Sequence, residues 1–251
     1  MEPLSDDEAH VWLASPDEPH EPATLEQSLA LLGSQERERY RRLRREQSRR
    51  EFLVTHALAR TALSRYAPVS PESWSFSFGE HGRPEVSGPS HGHALRFNLS
   101  HSRGLVACAV VRKLDIGVDV ESAARRLRHR DLAERFFGKA EVEALRALEP
   151  EERRRRFLEL WTLKEAYLKA RGSGISIPLR SFQLQVSDSE APRIRFDPAV
   201  VCDDAASWQF ALHHPSRSHT LALAIRRPDR RKMAIRFFEG VPGEALMNDP
   251  G

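Results

Sequence analysis

Apolar residues Leu43, Phe52, Leu53, Leu58 and Leu63 recur near helical spacing over 35–66, so a helix is expected there. A shorter helix is expected over 24–33, and Pro68 and Pro71 end the longer one. The pattern then switches to alternation. WSFSF (74–78), LRFNLS (95–100) and GLVACAVV (104–111) read as strands, with the Gly- and Pro-rich stretch 79–93 as a loop. The short connection RKLD leads to IGVDVE (116–121), so 104–121 is expected to be a hairpin. Helical spacing returns over 130–148 and 150–171, and Gly172 and Gly174 suit a C-terminal cap. FQLQV, IRF, WQFAL, TLALAIR and MAIRFF make the remainder β-rich, and the tail from about 240 is expected to be loose.

The pattern also echoes itself. LLGSQERE begins at Leu31 and FFGKAEVE at Phe136; FLVTHALARTAL begins at Phe52 and FLELWTLKEAYL at Phe157; both offsets are 105 residues. FNLSH (97–101) is faintly answered by FALHH (210–214). Two separated matches at one offset point to a duplication. The expected fold class is therefore α+β, built as two similar halves with pseudo-two-fold symmetry, 1–112 and 113–251. Ligands often bind in the crevice such halves leave. In the echo Arg60 stands where Glu165 stands, and Ser64 where Lys169 stands, so the halves are expected to differ in chemistry.

Composition narrows the class. The chain has 251 residues, 40% hydrophobic and 30% charged, enough for a large core. It has no apolar run long enough to span a membrane. The first twenty residues are acidic and lack the basic start and apolar stretch of a secretory signal, so a cytoplasmic protein is expected. Cys108 and Cys202 are too few for a disulfide framework or a cysteine zinc site. His91, His93, His213, His214 and His219 match no zinc spacing. Of 39 basic residues only five are Lys (113, 139, 164, 169 and 232). Arg clusters in 37–50 and 153–156; such a run is either a solvated face with Glu partners at helical spacing or a polyanion site. Interleaved Glu residues and the lack of a nucleic-acid motif argue against a DNA or RNA partner.

Two stretches carry candidate chemistry. In a strand, Ile116, Val118 and Val120 point one way, and Gly117, Asp119 and Glu121 the other. Two carboxylates on one strand face are either solvated or gathered by a hard divalent cation such as Mg²⁺ or Mn²⁺. In FLELWTLKEAYLKARG, Glu165 and Lys169 share a helix face, and apolar residues nearly surround them. Charges on so buried a helix need a partner or a task. A third carboxylate meeting Asp119 and Glu121 would supply one, with Lys164 and Lys169 facing the anions such a cation also binds. At 97–102, Ser100 and His101 suit either phosphate contacts or turn capping, and no G-x-S-x-G elbow accompanies them.

Taken together, GRP (82–84), FNLSHS (97–102), IGVDVE, FFGKAEVEAL (136–145) and FLELWTLKEAYLKARGSGISIPL (157–179) resemble the 4′-phosphopantetheinyl transferase family of the surfactin-synthetase-activating type. They follow the family's order over about residues 37–225. The resemblance implies a monomer that transfers the phosphopantetheine arm of coenzyme A, its co-substrate, to a serine of an acyl or peptidyl carrier protein, releasing 3′,5′-ADP. It implies Mg²⁺, with Mn²⁺ as an alternative, on Asp119, Glu121 and Glu165. Lys169 matches the lysine at the α-phosphate, Lys164 a diphosphate contact, and Glu141 an acid assisting metal or base. Ser100, His101, Arg83, Arg39 and Arg50 match contacts to the coenzyme's adenine and 3′-phosphate. Glu165 is the expected base, and neither a nucleic acid nor a membrane is expected as a partner.

Overall fold

A computed structural model describes residues 4–17, 22–79, 82–124, 129–172 and 177–240. The chain divides into two units. One holds Met1–Leu114 and the stretch beginning at Met233; the other holds Asp115–Lys232.

The first unit is an antiparallel hairpin extended at one edge. Strands β4 (Leu95–Ser102) and β5 (Leu105–Arg112) pair across a tight turn in which Gly104 has φ +83°, a conformation that favours glycine. β5 next pairs with β1 (Glu8–Ala14), and β1 pairs in parallel with β11 (Ala234–Glu239), giving the order β11-β1-β5-β4. The helices are α1 (Pro22–Leu31), α2 (Ser34–Arg42) and α3 (Glu46–Ser64). α3 lays Leu58, Ala62 and Leu63 onto Val106, Cys108 and Val110 of β5 and Trp12 of β1. A separate hairpin pairs β2 (Ser75–Phe78) with β3 (Pro84–Gly88).

The second unit repeats that plan. Strands β6 (Ile116–Ser122), β10 (His219–Arg226) and β9 (Trp208–Ser216) form an antiparallel sheet in the order β6-β10-β9. After α4 (His129–Phe136) and α5 (Lys139–Arg146) comes the long helix α6 (Pro150–Arg171). α6 packs Leu163, Ala166, Tyr167 and Ala170 against Ala222, Ala224, Trp208 and Phe210. A hairpin of β7 (Phe182–Gln185) and β8 (Arg193–Phe196) stands apart, as β2–β3 does. Each unit is thus α+β, with one long helix on a sheet that is mixed in the first unit and antiparallel in the second.

Five expectations change. The hairpin over 104–121 does not form, because β5 pairs inside the first unit and β6 inside the second. The helix over 35–66 breaks: Leu43 is extended (φ −70°, ψ 127°), and Arg49 Nε donates to its carbonyl across the break. No Gly or Pro marks that break. The helix over 130–148 divides at Gly138 into α4 and α5. The loop 79–93 contains β3, and EAHVWLA near the N-terminus forms β1, which went unpredicted. Finally, β11 belongs with the first unit rather than with 113–251. The expected cap at Gly172 forms, with φ +67° and its N–H on Leu168 O. Gly174 and the tail beyond 240 lie outside the described residues.

Candidate active site

Strand β6 is buried on both faces, and its carboxylates Asp119 and Glu121 are each only 7% exposed. Burying two like charges is costly unless cations or bound ions compensate. The face they share with Gly117 is the face against α6. A Cβ on Gly117 would lie 2.0 Å from Ala166 O and 2.4 Å from Ala170 N. Glycine here is a packing requirement, since only its bare Cα lets the helix backbone come this close.

That approach sets Glu165 and Lys169, one turn apart on α6, beside the strand acids. Lys169 Nζ donates to Asp119 Oδ1 at 2.8 Å and to the Val118 carbonyl at 3.0 Å. Its side chain is 30% exposed, so the ammonium lies at the edge of the site. Glu165 is half-buried. Burial raises its carboxyl above the ordinary range, the negative charges of Asp119 and Glu121 raise it further, and Lys169 partly offsets them. Three carboxylates from two distant stretches therefore share one field with one lysine.

The donor set suits a hard divalent cation, being all carboxylate oxygen. It is not a preformed cage: among the described residues no group of three or more His, Cys, Asp or Glu holds ion-binding geometry as it stands. Mg²⁺ characteristically takes one or two carboxylates and completes its shell with water and substrate phosphates, so the open arrangement fits that ion.

Lys164 and Glu141 have a place other than the one expected. Lys164 is fully buried, and its ammonium contacts Glu141 Oε2 at 3.0 Å, Leu179 O at 2.8 Å and Phe182 O at 2.6 Å. Burial pushes its pKa down, and Glu141 opposes that. Glu141, 6% exposed, also accepts the N–H groups of Gly138 at 3.0 Å and Leu184 at 2.9 Å. The two groups satisfy each other inside the second unit.

The remaining expected contacts lie in the first unit. Ser100 is buried and His101 exposed on β4; Arg83 is half-buried just before β3. Arg39 is exposed on α2 with its guanidinium 5.9 Å from the Phe52 ring centroid, and Arg50 pairs with Glu46 at 2.8 Å on α3. Arg50 thus has a Glu partner at helical spacing.

Sequence reading missed Asp203, in the loop before β9. Its Oδ2 accepts Tyr167 Oη, Arg171 Nη1 and Trp208 Nε1, each at 3.1 Å, and so holds the C-terminal end of α6. Burial pushes the Tyr167 hydroxyl up to about 12, keeping it a neutral donor. No motif marks Asp203, because its partners on α6 are remote in sequence.

Comparison with known proteins decides the family. A family model described as the 4′-phosphopantetheinyl transferase superfamily matches residues 115–225, which include β6 and α6. The transferase HetI of Nostoc is 35% identical over 196 residues, 78% of this chain and 81% of that protein. The chain belongs to the 4′-phosphopantetheinyl transferase family. It is a transferase that binds coenzyme A and moves its phosphopantetheine arm onto a carrier protein. Another member, the transferase Sfp of Bacillus subtilis, is 31% identical over 161 residues, 64% of this chain and 69% of its own. A further Bacillus subtilis transferase is 32% identical over 172 residues, 68% and 74% respectively. No helix among the described residues is long and apolar enough to cross a membrane.

Proposed function

We propose that the β6–α6 site carries out this transfer, with Asp119, Glu121 and Glu165 as the metal-binding acids and Lys169 as the cation on the departing phosphate. The observation that carries the reading is the shared field of Glu165, Asp119, Glu121 and Lys169. Asp119, Glu121 and Glu165 would hold Mg²⁺, or Mn²⁺, which when bound neutralises charge on the coenzyme's diphosphate.

The carrier serine oxygen bonds to the β-phosphorus of coenzyme A, and the bond from that phosphorus to the bridging oxygen breaks, releasing 3′,5′-ADP. Glu165 takes the serine proton. Lys169, fixed on Asp119, supplies positive charge or a proton to the leaving phosphate. In the first unit, Arg39, Arg50, Arg83, Ser100 and His101 contact the coenzyme's 3′-phosphate and adenine on this reading, which rests on the family resemblance. The protein acts as a cytoplasmic monomer on acyl or peptidyl carriers; two free cysteines suit a reducing compartment.

The test is mass spectrometry of an apo carrier incubated with coenzyme A and Mg²⁺. Wild type adds one phosphopantetheine. Asp119→Ala and Glu165→Ala are expected to add none while keeping their circular dichroism, and Lys169→Ala to lose turnover by roughly a hundredfold or more. Full transfer by both acid variants in saturating Mg²⁺ overturns the metal assignment.

A further inference from the structure

The geometry points to Glu141–Lys164 as a positioning tether that sets α6 against its neighbours, rather than as a reagent or a diphosphate contact. The inference rests on the reading of Glu165 as an active-site acid. An ammonium has three N–H donors. Those of Lys164 have three partners: Glu141 at the start of α5, the Leu179 carbonyl in the turn before β7, and the Phe182 carbonyl in β7 itself. The side chain is 0% exposed, with its nitrogen 4.5 Å from the Phe182 ring centroid and 5.2 Å from that of Phe137. No donor remains for a phosphate. One side chain joins α6 to both of these elements, and the residue after it is Glu165.

The first unit contains a similar device, with its cation one helix position out of register, since Lys164 echoes Ala59. Glu36 precedes Glu141 by 105 residues, the offset of the sequence echo, and accepts the N–H of Gly33 at 2.7 Å as Glu141 accepts that of Gly138. Its cation is Arg60 of α3, 2.8 Å away, and Arg60 also donates to the carbonyls of Pro71 and Trp74, the turn that leads into β2. An aromatic ring lies beside this cation too, Phe76 at 5.1 Å. Yet the first unit has Arg60 and Ser64 where α6 has Glu165 and Lys169. A buried acid that caps the preceding helix and binds a cation from the long helix thus recurs where those two reactive groups are absent. Its task is the architectural one common to both units: fixing the long helix against its cap and its hairpin.

A mutant cycle tests this in the full chain, using Lys164→Met, Glu141→Gln and the double variant. Lys164→Met leaves a buried carboxylate without its cation, so its melting temperature and kcat should both fall, kcat by roughly tenfold, with KM for coenzyme A within about twofold of wild type. The double variant should lose no more kcat than the worse single and should regain melting temperature, because neither charge is then left alone. A rise of tenfold or more in coenzyme KM for Lys164→Met, or kcat losses that multiply in the double, overturns the tether. If Lys164→Met alone does not fold, the double variant gives the same KM reading. Glu165→Gln run in parallel separates the two ideas: full activity there removes the active-site reading, whereas an inactive Glu165→Gln beside a raised KM in Lys164→Met removes the tether alone.

Discussion

Residue 36 shows how a buried carboxylate stays charged. Burial alone would raise its pKa, yet hydrogen bonding and charge from His56, the charge of Arg60 and the Gly33 N–H together lower it to about 2. A carboxyl depressed in the folded state stabilises the fold above its unfolded value near 4.5, and that contribution disappears as pH falls toward 2. Glu36→Gln should therefore cost stability in urea melts at pH 7, with the gap to wild type narrowing by pH 3. An equal gap at both values would show that the ionised form of Glu36 contributes nothing. At Glu165 the same physics runs the other way: burial, and then like charges, raise a carboxyl that no cation fully compensates, and that imbalance marks a reactive position.

Among the elements, the spacing of α6 from β6 matters most. Gly117 brings them together at Ala166 and Ala170, and Asp203 holds the far end of the helix through Tyr167 and Arg171. Gly117→Ala would force a methyl into backbone atoms that cannot rotate away, a clash costing about 1–3 kcal/mol or more. It should lower the melting temperature and cut turnover at least roughly tenfold, because Glu165 and Lys169 shift away from Asp119. Wild-type turnover in that variant would show that the close approach does not set the site. The strand itself was readable from IGVDVE, and the helix from its Leu and Phe spacing. The burial of Lys164 was not, since KEAYLK presents both lysines alike and only the neighbours of each separate an edge ammonium from an enclosed one.

For the whole molecule, the last strand is the informative one. β11 returns to the first unit and pairs in parallel with β1, where Phe238 stacks on Trp12 at 4.5 Å and Arg236 reaches Glu8 at 2.9 Å. Parallel neighbours are joined by long connections, and here the connection includes the rest of the first unit and the whole second unit. Phe238→Ala should destabilise the first unit by about 1–3 kcal/mol, read as faster hydrogen exchange at β1 amides with α6 protection retained. Unchanged exchange at β1 would mean that β11 adds nothing to that sheet.

Local regularities were enough to settle the helix and strand types, the duplicated plan and the family, because periodicity, a glycine cap and a set of ordered motifs are all written along one stretch of chain. Which acids gather round Lys169, which lysine is enclosed, where β11 pairs and why β5 and β6 part company depend on residues from 15 to more than 200 positions apart meeting in space. Those contacts are decided by packing and by the cost of burying charge, and both exist only in the folded chain.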